Sequence, residues 1–179
     1  MLKLSFIAPS CYGKSTAIAI LSKYYDVKNI KLAKPLYDLQ ELFYRYLNMN
    51  IGTKQDGELL QFFGSKIRKE NPDYIVNTFI KELNKSSDVQ LVTNDDCRPP
   101  DYPYLKNVGF KFILINGFRR NRDDHTLANA KSSLEWNHND IDYDYVLDNL
   151  GTMDEYEENI IRLMKEMKFN DSVKRIRKK

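Results

Sequence analysis

One junction near the N-terminus limits the fold more than any other feature of this chain. Residues 2–8 form a short, nearly continuous apolar run that ends at Pro9, the pattern of a strand buried on both faces. Residues 15–25 then carry Ala17, Ile18, Ile20 and Leu21 at helical spacing. A buried strand that turns at once into a helix is the first half of a β-α-β crossover and predicts a parallel sheet. The alternation continues, with strands expected at 27–32, 89–93, 110–116 and 143–147 and helices at 35–47, 57–63, 73–83 and 153–167. In the helix at 35–47, Leu36, Leu39, Phe43, Tyr46 and Leu47 fall on one apolar face. At 179 residues the chain has room for one domain with a substantial core, and two would be a squeeze.

The turn itself reads Ala8-Pro9-Ser10-Cys11-Tyr12-Gly13-Lys14-Ser15-Thr16. It matches the phosphate-loop pattern Gly-x-x-x-x-Gly-Lys-[Ser/Thr] except at its first position, which is Ala8. Such a loop points successive backbone N–H groups at a phosphate above a helix N-terminus. Ser10, Cys11, Tyr12 and Thr16 complete the cradle around Gly13, which allows close approach. Lys14 supplies a positive charge to β- and γ-phosphates, and the Ser15 hydroxyl is a hard oxygen ligand suited to Mg²⁺. Ala8 is tolerable where its φ stays negative. The expected architecture is therefore α/β, a three-layer P-loop NTPase fold with about five parallel strands and helices on both faces.

A second site element is expected at the end of a neighbouring strand. The run 89–93 is followed by Asn94-Asp95-Asp96, and either Asp95 or Asp96 could hold Mg²⁺ through water. Phosphoryl transfer also calls for arginines. Arg68 follows Gln61-Phe62-Phe63-Gly64-Ser65, Arg98 follows Cys97, and Arg119, Arg120 and Arg122 stand where a mobile cover could close over ATP and expel water.

With these residues in hand, the sequence resembles a deoxynucleoside monophosphate kinase of the tailed-phage type, within the nucleoside monophosphate kinase group. The segment Leu60-Gln61-Phe62-Phe63-Gly64-Ser65 with Arg68 is similar to that family's Leu-Gln-x-Gly-type substrate segment. The stretch Asn94-Asp95-Asp96-Cys97-Arg98-Pro99-Pro100 is similar to its Asp-x-Arg-Phe-Pro-Asn-Glu stretch, with Pro99 in place of the aromatic and Tyr102 where Glu is expected. Asp148-Asn149, then Gly151-Thr152, resembles its Asp-Asn-x-Gly-Thr segment. The resemblance implies transfer from ATP, with Mg²⁺, to a deoxynucleoside monophosphate. Ser15, with Asp96 through water, would place the metal, Arg68 and Arg98 would grip the acceptor phosphate, and Arg119 and Arg122 would cover the moving phosphoryl group. Lys34, Tyr37, Gln61, Phe62, Phe63 and Gly64 would surround the acceptor, while Asn149, Gly151 and Thr152 would lie near the adenine. The implied layout is one kinase domain over 1–170, with a helical acceptor region at 35–85, a lid at 117–142 and a basic tail at 171–179.

The departures at Ala8, Pro99 and Tyr102 leave two alternatives open. One is a catalytically altered nucleotide-binding regulator. The other is a kinase for a nucleic-acid 5′ end, steered by the basic tail. A net charge of only +3 gives nucleic acid no special support. Cys11 and Cys97 are far apart and make no disulfide framework, which fits a reducing compartment. No stretch approaches the ~20 apolar residues of a membrane span. A cytoplasmic protein is expected, and its twelve tyrosines leave a homodimer open.

Overall fold

The computed structural model describes residues 1–50, 52, 54–117 and 141–167. The strands are β1 (Leu2–Ile7), β2 (Val27–Asn29), β3 (Leu91–Asn94), β4 (Lys111–Gly117) and β5 (Tyr145–Asn149). The helices are α1 (Lys14–Leu21), α2 (Lys34–Tyr46), α3 (Gly57–Glu70), α4 (Tyr74–Asn84), α5 (Tyr102–Asn107) and α6 (Met153–Glu166). A 3₁₀ turn, Pro99–Asp101, leads into α5. All strand pairs are parallel, in the order β2-β3-β1-β4-β5.

Because β1 is central, Leu4 to Ala8 are buried, as their apolar run requires. Each face of the sheet has its own core. On one face, α1 and α6 pack Ala17, Ile20, Leu21, Tyr156 and Ile160 against Leu4, Phe6 and Ile115. On the other, α2, α4 and α5 pack Leu36, Phe79 and Leu105 against Ile7, Val92 and Phe112. The sheet thus separates three layers, as the alternation of strands and helices implies. Neighbouring strands β1 and β3 send their following helices to opposite faces. Their C-terminal ends therefore part into a crevice, the place where open α/β sheets bind ligands.

Local chemistry sets the helix ends. Asp56 caps α3 by accepting from the Leu59 N–H at 3.0 Å. Thr152 and Glu155 form a reciprocal capping box at the start of α6. Buried Gln40 ties α2 to α3, donating to the Lys54 carbonyl at 3.1 Å and accepting from the Asp56 N–H at 2.8 Å.

Three elements differ from the sequence reading. Helix α3 runs to Glu70, well past the expected end at 63, because Gly64 is buried beside Leu36 and Ile67 continues the apolar period. The turn and helix over residues 99–107, which carry Pro99, Pro100 and Pro103, are elements the sequence reading does not include. Prolines at the first positions of each helix sit where no N–H bond is owed. The apolar face of α2 is only half used. Leu36 is buried, whereas Tyr46, at the far end of α2, is 86% exposed.

Candidate active site

The loop leaving β1 holds two residues with left-handed φ, Cys11 at 69° and Gly13 at 99°. Alternation of this kind turns backbone N–H groups toward one point and forms an anion-binding nest. Ala8 lies on the allowed negative side of φ, so the missing first glycine costs the loop no strain. The loop is fastened by groups far away in sequence. Asn149, at the end of β5, donates to the Tyr12 carbonyl at 2.9 Å, and the Tyr156 hydroxyl of α6 donates to the Gly13 carbonyl at 3.2 Å.

Gly13 meets both constraints at once. Its φ is unfavourable for an L side chain, and an added Cβ would lie 2.5 Å from the Asn149 amide nitrogen. Gly13→Ala is expected to cost about 2–3 kcal/mol by strain and contact together and to weaken ATP binding at least tenfold. Urea unfolding and nucleotide titration check this. A variant as stable and as tight as the parent would mean that the loop can refold around a methyl group.

Lys14 folds back over its own loop, donating to the Ala8 carbonyl at 2.6 Å and the Pro9 carbonyl at 2.8 Å. Burial lowers its ammonium from the usual 10.5 to about 8, with Asp95 pulling the value back up. Ser15 is exposed at the first turn of α1, with Thr16 half-buried behind it. Ser10 is also exposed, its hydroxyl 3.7 Å from the Cys11 sulfur.

Beyond β3 the two aspartates part company. Asp96 faces the β2–α2 turn, where it accepts from the N–H groups of Leu32 and Ala33 at 2.9 Å each and from the Asn94 amide at 2.7 Å. Burial pushes its carboxyl above the usual range, although these donors oppose the shift. Asp95 is buried and faces the crevice, held by the Asn29 amide at 3.2 Å and by Lys31 at 3.2 Å. Arg98 is exposed at the start of the following turn. Cys97 between them is buried, and burial pushes its thiol well up, so it is an inert core group.

Arg68 reaches from α3 to the same turn. One guanidinium nitrogen donates to both carboxylate oxygens of Asp101, at 2.8 and 3.1 Å. Asp101 is buried, and its carboxyl rises through desolvation despite the neighbouring Arg68 charge. Tyr37 is half-buried on α2, its hydroxyl accepting from Gln55 at 3.3 Å. Burial, then the Asp96 charge, raises its phenol. Lys34 pairs with Asp38 at 2.8 Å on the exposed side of α2. Gln61 and Phe62 are exposed on α3, Phe63 is half-buried beside them, and Gly64 is buried. Gly151 and Thr152 are exposed at the head of α6, and the Thr152 hydroxyl is engaged in its capping box. Arg119, Arg120 and Arg122, with the expected lid, lie outside the described residues except for its ends at Gly117, Ile141 and Asp142.

Two concavities compete for attention. A groove of about 580 Å³ between α2, α3 and α4 is lined by Leu39, Leu42, Ile67 and Tyr74. It also presents the three acids Asp38, Glu70 and Glu82 against one cation, Lys34, a balance that would repel a phosphate, and none of Lys14, Asp95 or Arg98 lines it. The β1–β3 crevice is where Lys14 comes within electrostatic reach of Asp95 and Arg98. Ser15 and Asp95 offer hard oxygens on either side of it, the donor type that Mg²⁺ prefers. Among the described residues no cluster of three or more His, Cys, Asp or Glu side chains could cage a metal. Mg²⁺ bound with nucleotide phosphates needs only one or two protein ligands, so the residues fit that role.

Strand order, the loop at the switch point and the layering define a three-layer α/β P-loop NTPase fold. No protein-family model matches the chain, and no curated protein does. Among solved structures, it is similar to a shikimate kinase from Aquifex aeolicus at 13% identity, over 94% of this chain and 99% of that one, with a TM-score of 0.48. It is also similar to a dephospho-CoA kinase from Campylobacter jejuni at 16% identity, over 93% and 96%, with a TM-score of 0.48. A shikimate kinase from Bacteroides thetaiotaomicron is similar at 13% identity, over 93% and 98%, with a TM-score of 0.45. Similarity at this level carries no substrate across. Among the described residues, no helix is long and apolar enough to cross a membrane.

Proposed function

We propose that the chain is an ATP-dependent kinase that phosphorylates a nucleoside monophosphate, a deoxynucleotide in the reading its sequence favours. The observation that supports this best is the meeting, across one crevice, of a donor loop carrying Lys14 and a wall carrying Asp95 and Arg98. The loop's N–H groups and Lys14 would hold the donor phosphates. Ser15 and Asp95 would place Mg²⁺, which supplies charge neutralisation between donor oxygens. Asp96 acts one step back, fixing the β2–α2 turn from which Lys34 and Tyr37 project. Arg98 and Arg68 would hold the acceptor phosphate, with Arg68 oriented by Asp101. The exposed Phe62 face is available to stack on a base, and Gln61 to read its edge.

Transfer then needs alignment more than acid–base chemistry. An acceptor phosphate oxygen bonds to the γ-phosphorus while the bond from that phosphorus to the β–γ bridging oxygen breaks, and ADP leaves. The acceptor phosphate is ionised at neutral pH, so no side chain has to remove a proton. Gly151 and Thr152 would border the adenine, Asn149 would hold the loop beneath it, and Arg119 and Arg122 would close over the phosphates. The lid at 117–142 and the acceptor region at 35–85 belong to the same proposal.

A coupled ADP-release assay with Mg²⁺-ATP and each ribo- and deoxynucleoside monophosphate in turn tests this reading. ADP formation that depends on one acceptor class is the expected result. Tight ATP binding without acceptor dependence would overturn it and point to a nucleotide-responsive regulator.

A further inference from the structure

One basic residue at the crevice has no role in the reading above. Lys31 follows β2, and the ladder between β2 and β3, continued by the Ile30 N–H bonding to the Thr93 carbonyl at 2.9 Å, brings it level with the residues just past β3. Since β3 lies between β2 and β1, Asp95 stands with the donor loop on one side and Lys31 on the other. The Lys31 ammonium is 3.2 Å from the Asp95 carboxylate. The carboxylate is only 5% exposed, whereas the Lys31 side chain is 39% exposed, so the lysine is the mobile partner. Arg98 leaves the same strand end and forms no salt bridge among the described residues. Lys34 and Arg68 are likewise paired, with Asp38 and Asp101, but neither pair includes a residue of the β3 strand end.

We propose that Lys31 is an acceptor-phosphate ligand acting beside Arg98, and that Asp95 holds it in reserve when no phosphate is bound. The proposal rests on the kinase reading for the identity of its ligand, a phosphate monoester. A long, half-exposed lysine can swing between a carboxylate and a phosphate by rotating its stem, with no backbone movement. Asp95 then competes with the ligand for one cation. That competition gives the two partners opposite mutational signs, which a purely structural pair would not.

The test is calorimetric titration of nucleoside monophosphates, without metal or ATP, into protein whose donor loop has been disarmed by Lys14→Ala. In that background Lys31→Gln is expected to weaken binding at least tenfold. Lys31→Arg, which keeps the charge, should stay within about threefold. Asp95→Asn removes the competing charge and should tighten binding severalfold. Circular dichroism on each variant verifies folding. Unchanged affinity in Lys31→Gln, equal weakening by Lys31→Gln and Asp95→Asn, or no monophosphate binding in any protein would each overturn the proposal. The two readings can fail separately. Acceptor-dependent ADP release by wild type, with Lys31→Gln unaltered in acceptor KM, would reject Lys31 and spare the kinase. A wild type that binds monophosphates through Lys31 but transfers nothing would do the reverse.

Discussion

Lys14→Met is expected to abolish phosphoryl transfer, by on the order of 10³-fold or more, while melting at or above the wild-type temperature at pH 7. The two effects have one cause. The ammonium is largely buried at the loop, and burial lowers it to about 8. A lysine titrating near 10.5 when unfolded and near 8 when folded opposes folding at neutral pH. By the usual conversion of about 1.36 kcal/mol per unit, the cost is on the order of 3 kcal/mol. Part of that is already offset by the carbonyls of Ala8 and Pro9, which lose a donor in the variant. The sign in pH follows. Between about pH 8 and 10.5 the unfolded chain binds more protons than the folded one, so wild-type stability rises through that window. Lys14→Met should lack this rise. Urea unfolding at pH 7 and pH 10 measures both, and a variant clearly less stable than wild type at pH 7 would show that the two hydrogen bonds outweigh the burial.

Arg68→Ala should damage the protein in two separable ways. It leaves the Asp101 carboxylate, 4% exposed, without its charge partner, and removing one member of a buried pair costs about 3–5 kcal/mol. The partial exposure of Arg68 places the expected loss toward 2–3 kcal/mol. It should also raise the acceptor KM at least tenfold more than the ATP KM. The double variant Arg68→Ala with Asp101→Asn separates the effects, because a neutral amide is cheaper to bury. It should recover more than half of the lost stability and none of the acceptor affinity. Equal changes in both KM values would remove Arg68 from the acceptor side.

Much of this could be read from the residues because it depends on local pattern. The apolar run before Pro9 and the Gly13-Lys14-Ser15 step place a strand, a loop and a helix start without knowledge of the rest. Four of the five strands emerged for the same reason, since each carries an apolar run followed by a polar break; β2, Val27-Lys28-Asn29, does not, and it ends short of the expected residue 32. What escaped was set by partners distant in sequence. The end of α3 expected at 63 falls too early, because the packing of Gly64 against Leu36 that carries the helix on is not visible in the local sequence. The pair Asp95-Asp96 reads as two equivalent acids, and only the β2–α2 turn shows that one faces inward to Leu32 and Ala33. Lys31 drew no notice because it belongs to no motif, and its meaning depends on β2 lying beside β3. Asn149 suggested a nucleotide contact from its neighbours in sequence. Its hydrogen bond to Tyr12 spans 137 residues and has no local signature.

That last bond bears on how the protein is made. The loop at residues 8–16 is made well before the groups that fasten it, because Asn149 and Tyr156 lie 137 and 143 residues further along than the carbonyls they hold. A nascent chain that ends before β5 and α6 has the loop's sequence but not its brace, and a nested set of backbone amides without a brace is only a flexible turn. On the proposed reading, nucleotide binding should therefore wait until β5 and α6 have both been made. Chains that stop or are cut before β5 should leave ATP alone.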